Sequence, residues 1–305
     1  MLKTLMLAVL FAVVGNPNAD EMRNVIDNAA SSPQQGFKVH ISVDMEGLAG
    51  VVDSSHTSSA GRNYAAARDQ MIAEANAAIA AAFEVGASEV VVIDSHGDKT
   101  NLQPEKLDRR ATLISGGPRP LGMMGGIDES FDAAVFIGYH ASASTMDATL
   151  DHTYTGQLKH VWINDHELGE AGLNAGVAGQ FGVPVVFVSG DLAVTEEVEA
   201  LIPAVEGVAV KEAIGQTAAH LLHPKESLER IAAGVKAGLV RRAETQPLTF
   251  EWPVTLRIEV ADAGQADQVM FVPGMERVGA RIVEYVATDF VSAYRMSRLV
   301  RLLAQ

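Results

Sequence analysis

Residues 39–47 read Val39-His40-Ile41-Ser42-Val43-Asp44-Met45-Glu46-Gly47, a strand that ends on two acids. Val39, Ile41 and Val43 alternate with His40 and Ser42, the period of two that marks a strand. Asp44 and Glu46 then share one side of an extended chain, roughly 6–7 Å apart at ~3.3 Å per residue. Gly47 stops the strand and lets the backbone turn. Two carboxylates held so close repel each other and are costly to desolvate, and a cation beside them removes both problems. For a lone Asp-x-Glu, loop capping or plain solvation is the commoner explanation, so the neighbouring strands decide.

Downstream of this stretch, strands and helices alternate. Met71, Ile72, Ala75, Ile79 and Phe83 keep helical spacing over 61–85, and Gly86 follows as a helix-ending glycine. Glu89-Val90-Val91-Val92-Ile93-Asp94 is a near-continuous apolar run, the pattern of a strand buried on both faces of a parallel sheet. Further strands are expected at 111–115, 133–139, 160–164 and 183–188, the one at 160–164 in the same sheet, with helices over 169–181, 195–201 and 225–243. A strand at 252–260, pairing with 281–285, and a helix at 289–303 complete the chain. The order implies an α/β fold with a mainly parallel sheet flanked by helices and a smaller C-terminal α+β lobe. The expected division is 1–19 signal peptide, 20–36 linker, 37–246 catalytic α/β domain and 247–305 smaller lobe.

Three of these strands end alike: Asp44 and Glu46 after the first, Asp94-Ser95-His96-Gly97 after the second, and His140 after Gly138-Tyr139. In open α/β sheets ligands sit outside the carboxyl ends of the strands, so Asp, Glu, His and His are delivered to one rim. Singly, each histidine is more often a loop or core residue; together with the acids they read as metal ligands. Oxygen and imidazole donors suit a catalytic zinc, or manganese or cobalt. A further acid lies in Asn164-Asp165-His166-Glu167-Leu168-Gly169-Glu170, where the residues alone do not choose between His166, Glu167 and Glu170.

The chain has 305 residues, 48% hydrophobic and 20% charged, enough for a substantial core. A net charge of -15 argues against nucleic acid as a partner. The absence of cysteine excludes disulfides, thiolate metal sites and a cysteine nucleophile. Lys3 precedes an uncharged apolar run, Leu5 to Gly15, too short to span a membrane and typical of a secretory leader. A periplasmic or secreted location follows from it, with no stable membrane insertion after processing; a cytoplasmic location follows if the segment is not a functional signal. Glycine pairs at 116–117 and 125–126 make no dinucleotide fingerprint, and Ser142, Ser144 and Thr145 lack a nucleophile elbow. No basic cluster is apparent near the rim motifs, which disfavours a phosphoesterase.

Ser42-Val43-Asp44-Met45-Glu46-Gly47, Asp94-Ser95-His96, Gly138-Tyr139-His140-Ala141 and Gly169-Glu170-Ala171-Gly172-Leu173-Asn174-Ala175, in that order, resemble the D-aminopeptidase family of the dipeptide-transport type, peptidase family M55. The resemblance runs from about residue 38 to the C terminus. It implies a zinc aminopeptidase that releases an N-terminal D-residue from short peptides. By the resemblance, Asp44 bridges two zinc ions, Glu46 and His96 complete one site, and His140 and Glu170 the other. It also implies a catalytic histidine after the Gly-Tyr-His motif, for which His152 is the best match and His160 and His166 are rivals. The implied assembly is a homo-decamer of two pentameric rings around a chamber. A non-catalytic extracytoplasmic peptide- or metal-binding protein on the same scaffold is the alternative.

Overall fold

The computed structural model describes residues 36–305. The leader at 1–19, and the linker up to residue 35, lie outside the described residues. Two sheets organise the chain. The first has seven strands in the order β3-β2-β1-β4-β7-β8-β9, where β1 is Phe37–Val43, β2 Ala87–Asp94, β3 Thr112–Ile114, β4 Ala133–Tyr139, β7 Val185–Asp191, β8 Glu206–Gly215 and β9 Ala218–Leu221. All neighbours in it are parallel except β8 and β9. The second has five, ordered β11-β12-β10-β5-β6 and antiparallel throughout: β5 Leu158–Ile163, β6 His166–Glu167, β10 Val254–Val260, β11 Glu276–Arg277 and β12 Ile282–Ala287.

Helices cover both faces of the parallel sheet. On one side lie α1, Tyr64–Glu84, and α4, Pro224–Val240, which pack on each other. Their Met71, Ile79, Ile231 and Val235 meet Val39, Ile41 and Val43 of β1 in one buried core. On the other side α2, Glu170–Gln180, and α6, Phe290–Leu303, join the second sheet in another core with Ile93, Phe136 and Tyr139. Two shorter helices are α3, Leu192–Leu201, and α5, Ala263–Val269, and a single helical turn lies at Ser54–Thr57. Strand β1 is thus buried on both faces, which its alternation does not announce. His40 and Ser42 face the second core: His40 Nε2 lies 3.2 Å from the Gly125 carbonyl while its Nδ1 is buried without a partner among the described residues, and the Ser42 hydroxyl lies 2.7 Å from Tyr139 and from Ser95. Burial pushes His40 down to about 4, so its ring is neutral.

The segment at 160–164 pairs with β10 in the antiparallel sheet, not with the parallel one as its apolar character suggests. The second sheet therefore draws β5 and β6 from within 37–246 and the rest from 247–305. Its central strand β10 alternates cleanly, with Val254, Leu256, Ile258 and Val260 buried and Thr255, Arg257 and Glu259 partly open. That is the pattern of a sheet with one solvated face. Strands β8 and β9, unassigned from sequence, complete the first sheet, with β9 at its edge.

Candidate metal centre

Register brings the acids and histidines together. Val43 of β1 stands opposite Asp94 of β2 and Ile137 of β4, so the three strands end at one level. The ladder continues past them: Asp44 N–H donates to Ile137 O at 2.8 Å, Ser95 N–H to Val43 O at 2.9 Å, and Gly47 N–H to Gly138 O at 2.8 Å. The turn at 44–47 presses on β4 so closely that a Cβ at Gly47 would lie 1.7 Å from the Tyr139 carbonyl oxygen. Gly138 answers with φ +68°, a left-handed conformation that only glycine adopts freely. Asp44 and Glu46 reach the rim from this turn, where the strand has already ended, while Met45 is fully buried.

Buried polar groups hold the frame. Asp94 is no ligand: its carboxylate accepts from the N–H groups of Asn101 at 2.6 Å and Leu102 at 2.7 Å, fixing the loop after His96. Lys211 of β8 donates to the carbonyls of Glu46 and Val51, and Glu74 of α1 accepts the Ala49 N–H at 2.9 Å. The loop 46–51 is therefore pinned from below by an ammonium and a carboxyl.

At the rim the two oxygens of Asp44 diverge. Oδ1 lies 3.4 Å from His96 Nδ1, and Oδ2 lies 3.6 Å from His140 Nε2. Glu46 is 2.9 Å from His96 Nδ1, and Glu170, in the first turn of α2, is 3.3 Å from His140 Nε2. The cluster thus divides into two halves joined by one carboxylate. His152 Nε2 stands 3.6 Å from Glu170, and its ring stacks on His140 at 4.0 Å between centroids. The six expected residues Asp44, Glu46, His96, His140, His152 and Glu170 all meet here. Among the described residues, Asp44–Glu46–His140 and His140–His152–Glu170 each offer donor atoms within 4.8 Å of one another.

Tautomers follow from the far nitrogens. His96 Nε2 is 2.8 Å from the Thr57 carbonyl, His140 Nδ1 3.0 Å from Ala141 O, and His152 Nδ1 2.9 Å from Leu150 O. A carbonyl only accepts, so each of these nitrogens carries the proton and the opposite nitrogen faces the acids. A backbone carbonyl behind a histidine in this way is the usual support of an imidazole ligand. His140 Nε2 is buried with no hydrogen-bond partner among the described residues, an orphan that a metal ion would satisfy. Burial alone would lower His96, yet Glu46 and Asp44 carry it up to about 12; burial likewise opposes His140, which Glu170 and Asp44 carry up to about 10. Burial works against ionisation of Glu170, but His140 holds it down at about 2. Burial and the charge of Glu46 raise Asp44. Charges so concentrated and so dry are what a cation site requires.

His160 and His166 do not reach this centre. His160 pairs with Glu167 at 2.6 Å on the second sheet, and His166 is exposed against Phe250. Ser142 and Thr145 bind Glu197 and border another cavity. Sequence reasoning missed residues that line the centre's own cavity, among them Lys99, Tyr154, Arg298 and Arg301. The absence of a basic cluster near the rim, expected from sequence, is therefore corrected: helix α6 brings arginines that are remote along the chain.

The family model for D-aminopeptidase, peptidase M55, matches residues 37–299. The chain belongs to the M55 D-aminopeptidase family. It is 40% identical over 269 residues to the D-aminopeptidase of Bacillus subtilis (strain 168), a match that covers 88% of this chain and 98% of that protein. Its structure resembles that of the Zn-dependent D-aminopeptidase DppA from Bacillus subtilis, described as a self-compartmentalizing protease. The TM-score is 0.86 at 40% identity, over 88% of this chain and 98% of that one. This M55 member is thus a peptidase scaffold whose rim carries a group of residues suited to metal.

Proposed function

We propose that this chain is a binuclear zinc aminopeptidase that removes an N-terminal D-residue from short peptides or amides. The observation that carries the reading is the division of Asp44, with one oxygen toward His96 and the other toward His140. Asp44 would bridge two ions, Glu46 and His96 would complete one coordination set, and His140 and Glu170 the other. Two divalent ions there would supply Lewis acidity and an acidified water. The preference for a D-residue is supported by the 40% identical relative that bears that name.

The remaining steps belong to side chains. His152 is partly open to the cavity, and Leu150 O fixes its ring through Nδ1. Its Nε2 is the atom that takes up the proton released when water adds to the carbonyl and gives it to the leaving amine. The proton balance of the cycle then closes on one imidazole, a role suited to histidine. Glu170 also accepts the Tyr154 N–H at 2.8 Å, which ties the His152 loop to the first turn of α2.

Metal analysis combined with a screen of D- and L-aminoacyl amides tests the reading. About two zinc ions per chain and turnover of D-alanyl substrates are expected. Retained metal with no hydrolysis would favour the non-catalytic binding protein. We further infer a decamer of two pentameric rings, by kinship with the self-compartmentalizing relative; a monomer in light scattering would overturn it. Export is inferred from Lys3 and the apolar run to Gly15. N-terminal sequencing of protein from the native host checks it, and an intact Met1 on cytoplasmic protein would reject it.

A further inference from the structure

The cavity of the acids and histidines, about 130 Å³, has a cationic wall as well. Lys99, Arg298 and Arg301 line it, and the same three residues line an adjoining cavity of about 470 Å³. They stand where the two spaces meet. The larger space falls within the ~300–1,000 Å³ of ordinary ligand pockets, the smaller below it.

Lys99 Nζ donates to the Gly97 carbonyl at 3.0 Å, and the two arginines differ from their neighbour Arg119. Arg119 spends its donors on the carbonyls of Gly122 at 2.8 Å, Gly116 at 2.8 Å and Asp94 at 2.5 Å, a structural role. Arg298 and Arg301, three residues apart on α6 and so on one face, form no ion pair among the described residues. The Arg298 guanidinium lies over the Tyr154 ring, 5.0 Å from its centroid, which sets its plane. Arg301 Nε is buried without a hydrogen-bond partner among the described residues. An unpaired buried donor on a cation is costly unless a ligand satisfies it. The carboxylates of the metal centre cannot serve, since two divalent ions would more than neutralise Asp44, Glu46 and Glu170.

An anion is therefore missing, and a short peptide carries one. With its amino end at the metals, the free carboxylate of a dipeptide lies one residue beyond the scissile bond, about 3.8 Å further along the chain. Paired guanidinium groups suit a carboxylate because their planar donors match its two oxygens. We propose that Arg298, Arg301 and Lys99 form a subsite for the free C-terminal carboxylate of a short peptide, so that the substrate is held at both ends. The proposal rests on the aminopeptidase reading given above.

The test compares D-alanyl-D-alanine with its C-terminal amide on the zinc-loaded enzyme. A charged hydrogen-bonded contact is expected to favour the free acid by about 10- to 100-fold in kcat/KM. In Arg301→Gln that ratio should fall toward one, through a KM that rises for the acid more than for the amide, and Arg301→Lys should keep part of it. The ratio is internal to each variant, so a loss of folded protein does not mimic the effect. Equal efficiency on acid and amide in the unmodified enzyme, or an unchanged ratio in Arg301→Gln, overturns the subsite alone. No turnover of either substrate by the unmodified enzyme removes the aminopeptidase reading, and the subsite falls with it.

Discussion

Metal uptake by the metal-free protein should expel protons, and the histidines set the number. Against the burial that lowers both, the surrounding carboxylates hold His96 at about 12 and His140 at about 10. Both rings are then cationic at about pH 8, whereas an imidazole must be neutral to bind a metal. Glu46 and Glu170, held low despite burial by His96 and His140, already arrive ionised. Filling the centre at about pH 8 should therefore release at least about two protons per chain, one from each ring and any further one from an acidified water, with an affinity that rises about 100-fold or more per pH unit up to about pH 10. The stability of the metal-free fold runs the other way. A histidine raised above its ordinary ~6.5 contributes stability that is fully present below that value, and loses it as pH rises through about 10 for His140 and about 12 for His96. Calorimetric titration of zinc into metal-free protein, in buffers of equal pH and different ionisation enthalpy, gives the proton count from the slope. His96→Ala and His140→Ala should each lower it by at least about one. A slope near zero in the unsubstituted protein would refute the assignment of these imidazoles as ligands.

Asp44→Ala should abolish binding of both ions, because the bridge belongs to both halves, while His96→Ala leaves about one; elemental analysis that still finds about two ions in Asp44→Ala rejects the bridge. His152→Ala should lower kcat by about 10²–10⁴-fold with metal content intact, and a change confined to KM would make it a binding residue instead. Burial raises Glu74 to about 7, so the fold loses stability as pH rises from ~4.5 to about 7, by about 3 kcal/mol at ~1.36 kcal/mol per unit. Glu74→Gln should remove that loss, and urea unfolding that shows the same wild-type-to-variant difference at about pH 5 and about pH 8 would contradict it.

What the sequence discloses of this protein follows from what each kind of element obliges. Parallel strands in register must end together, so Asp44, His96 and His140 can be referred to one rim before any coordinates exist. The turn at 44–47 hides more: a strand reading puts both acids on one side, and the outcome holds, but through a glycine pair that locks the turn to β4. Glu170 is not separable from Glu167 and His166 by pattern, since an acid in a first helical turn is favourable anyway; the family resemblance singles it out, and the structure sets its carboxylate beside His140. The segment 158–163 changes sheet because apolar alternation specifies a face, not a partner. Lys211 escapes notice because its strand is not marked in the sequence and a lone lysine reads as solvated, whereas here the chain folds the Glu46 and Val51 carbonyls onto it. The arginines of α6 are the sharpest case. Their spacing is that of an exposed stripe on an amphipathic helix, and nothing local distinguishes such a stripe from one that overlooks an active cavity. A sheet gathers its strand ends by hydrogen-bond register, which the sequence encodes locally. A helix laid across that rim brings its side chains by crossing angle, which depends on both cores at once. Chemistry contributed by the second route is therefore where a sequence reading of such a fold falls short, and where the structure has most to add.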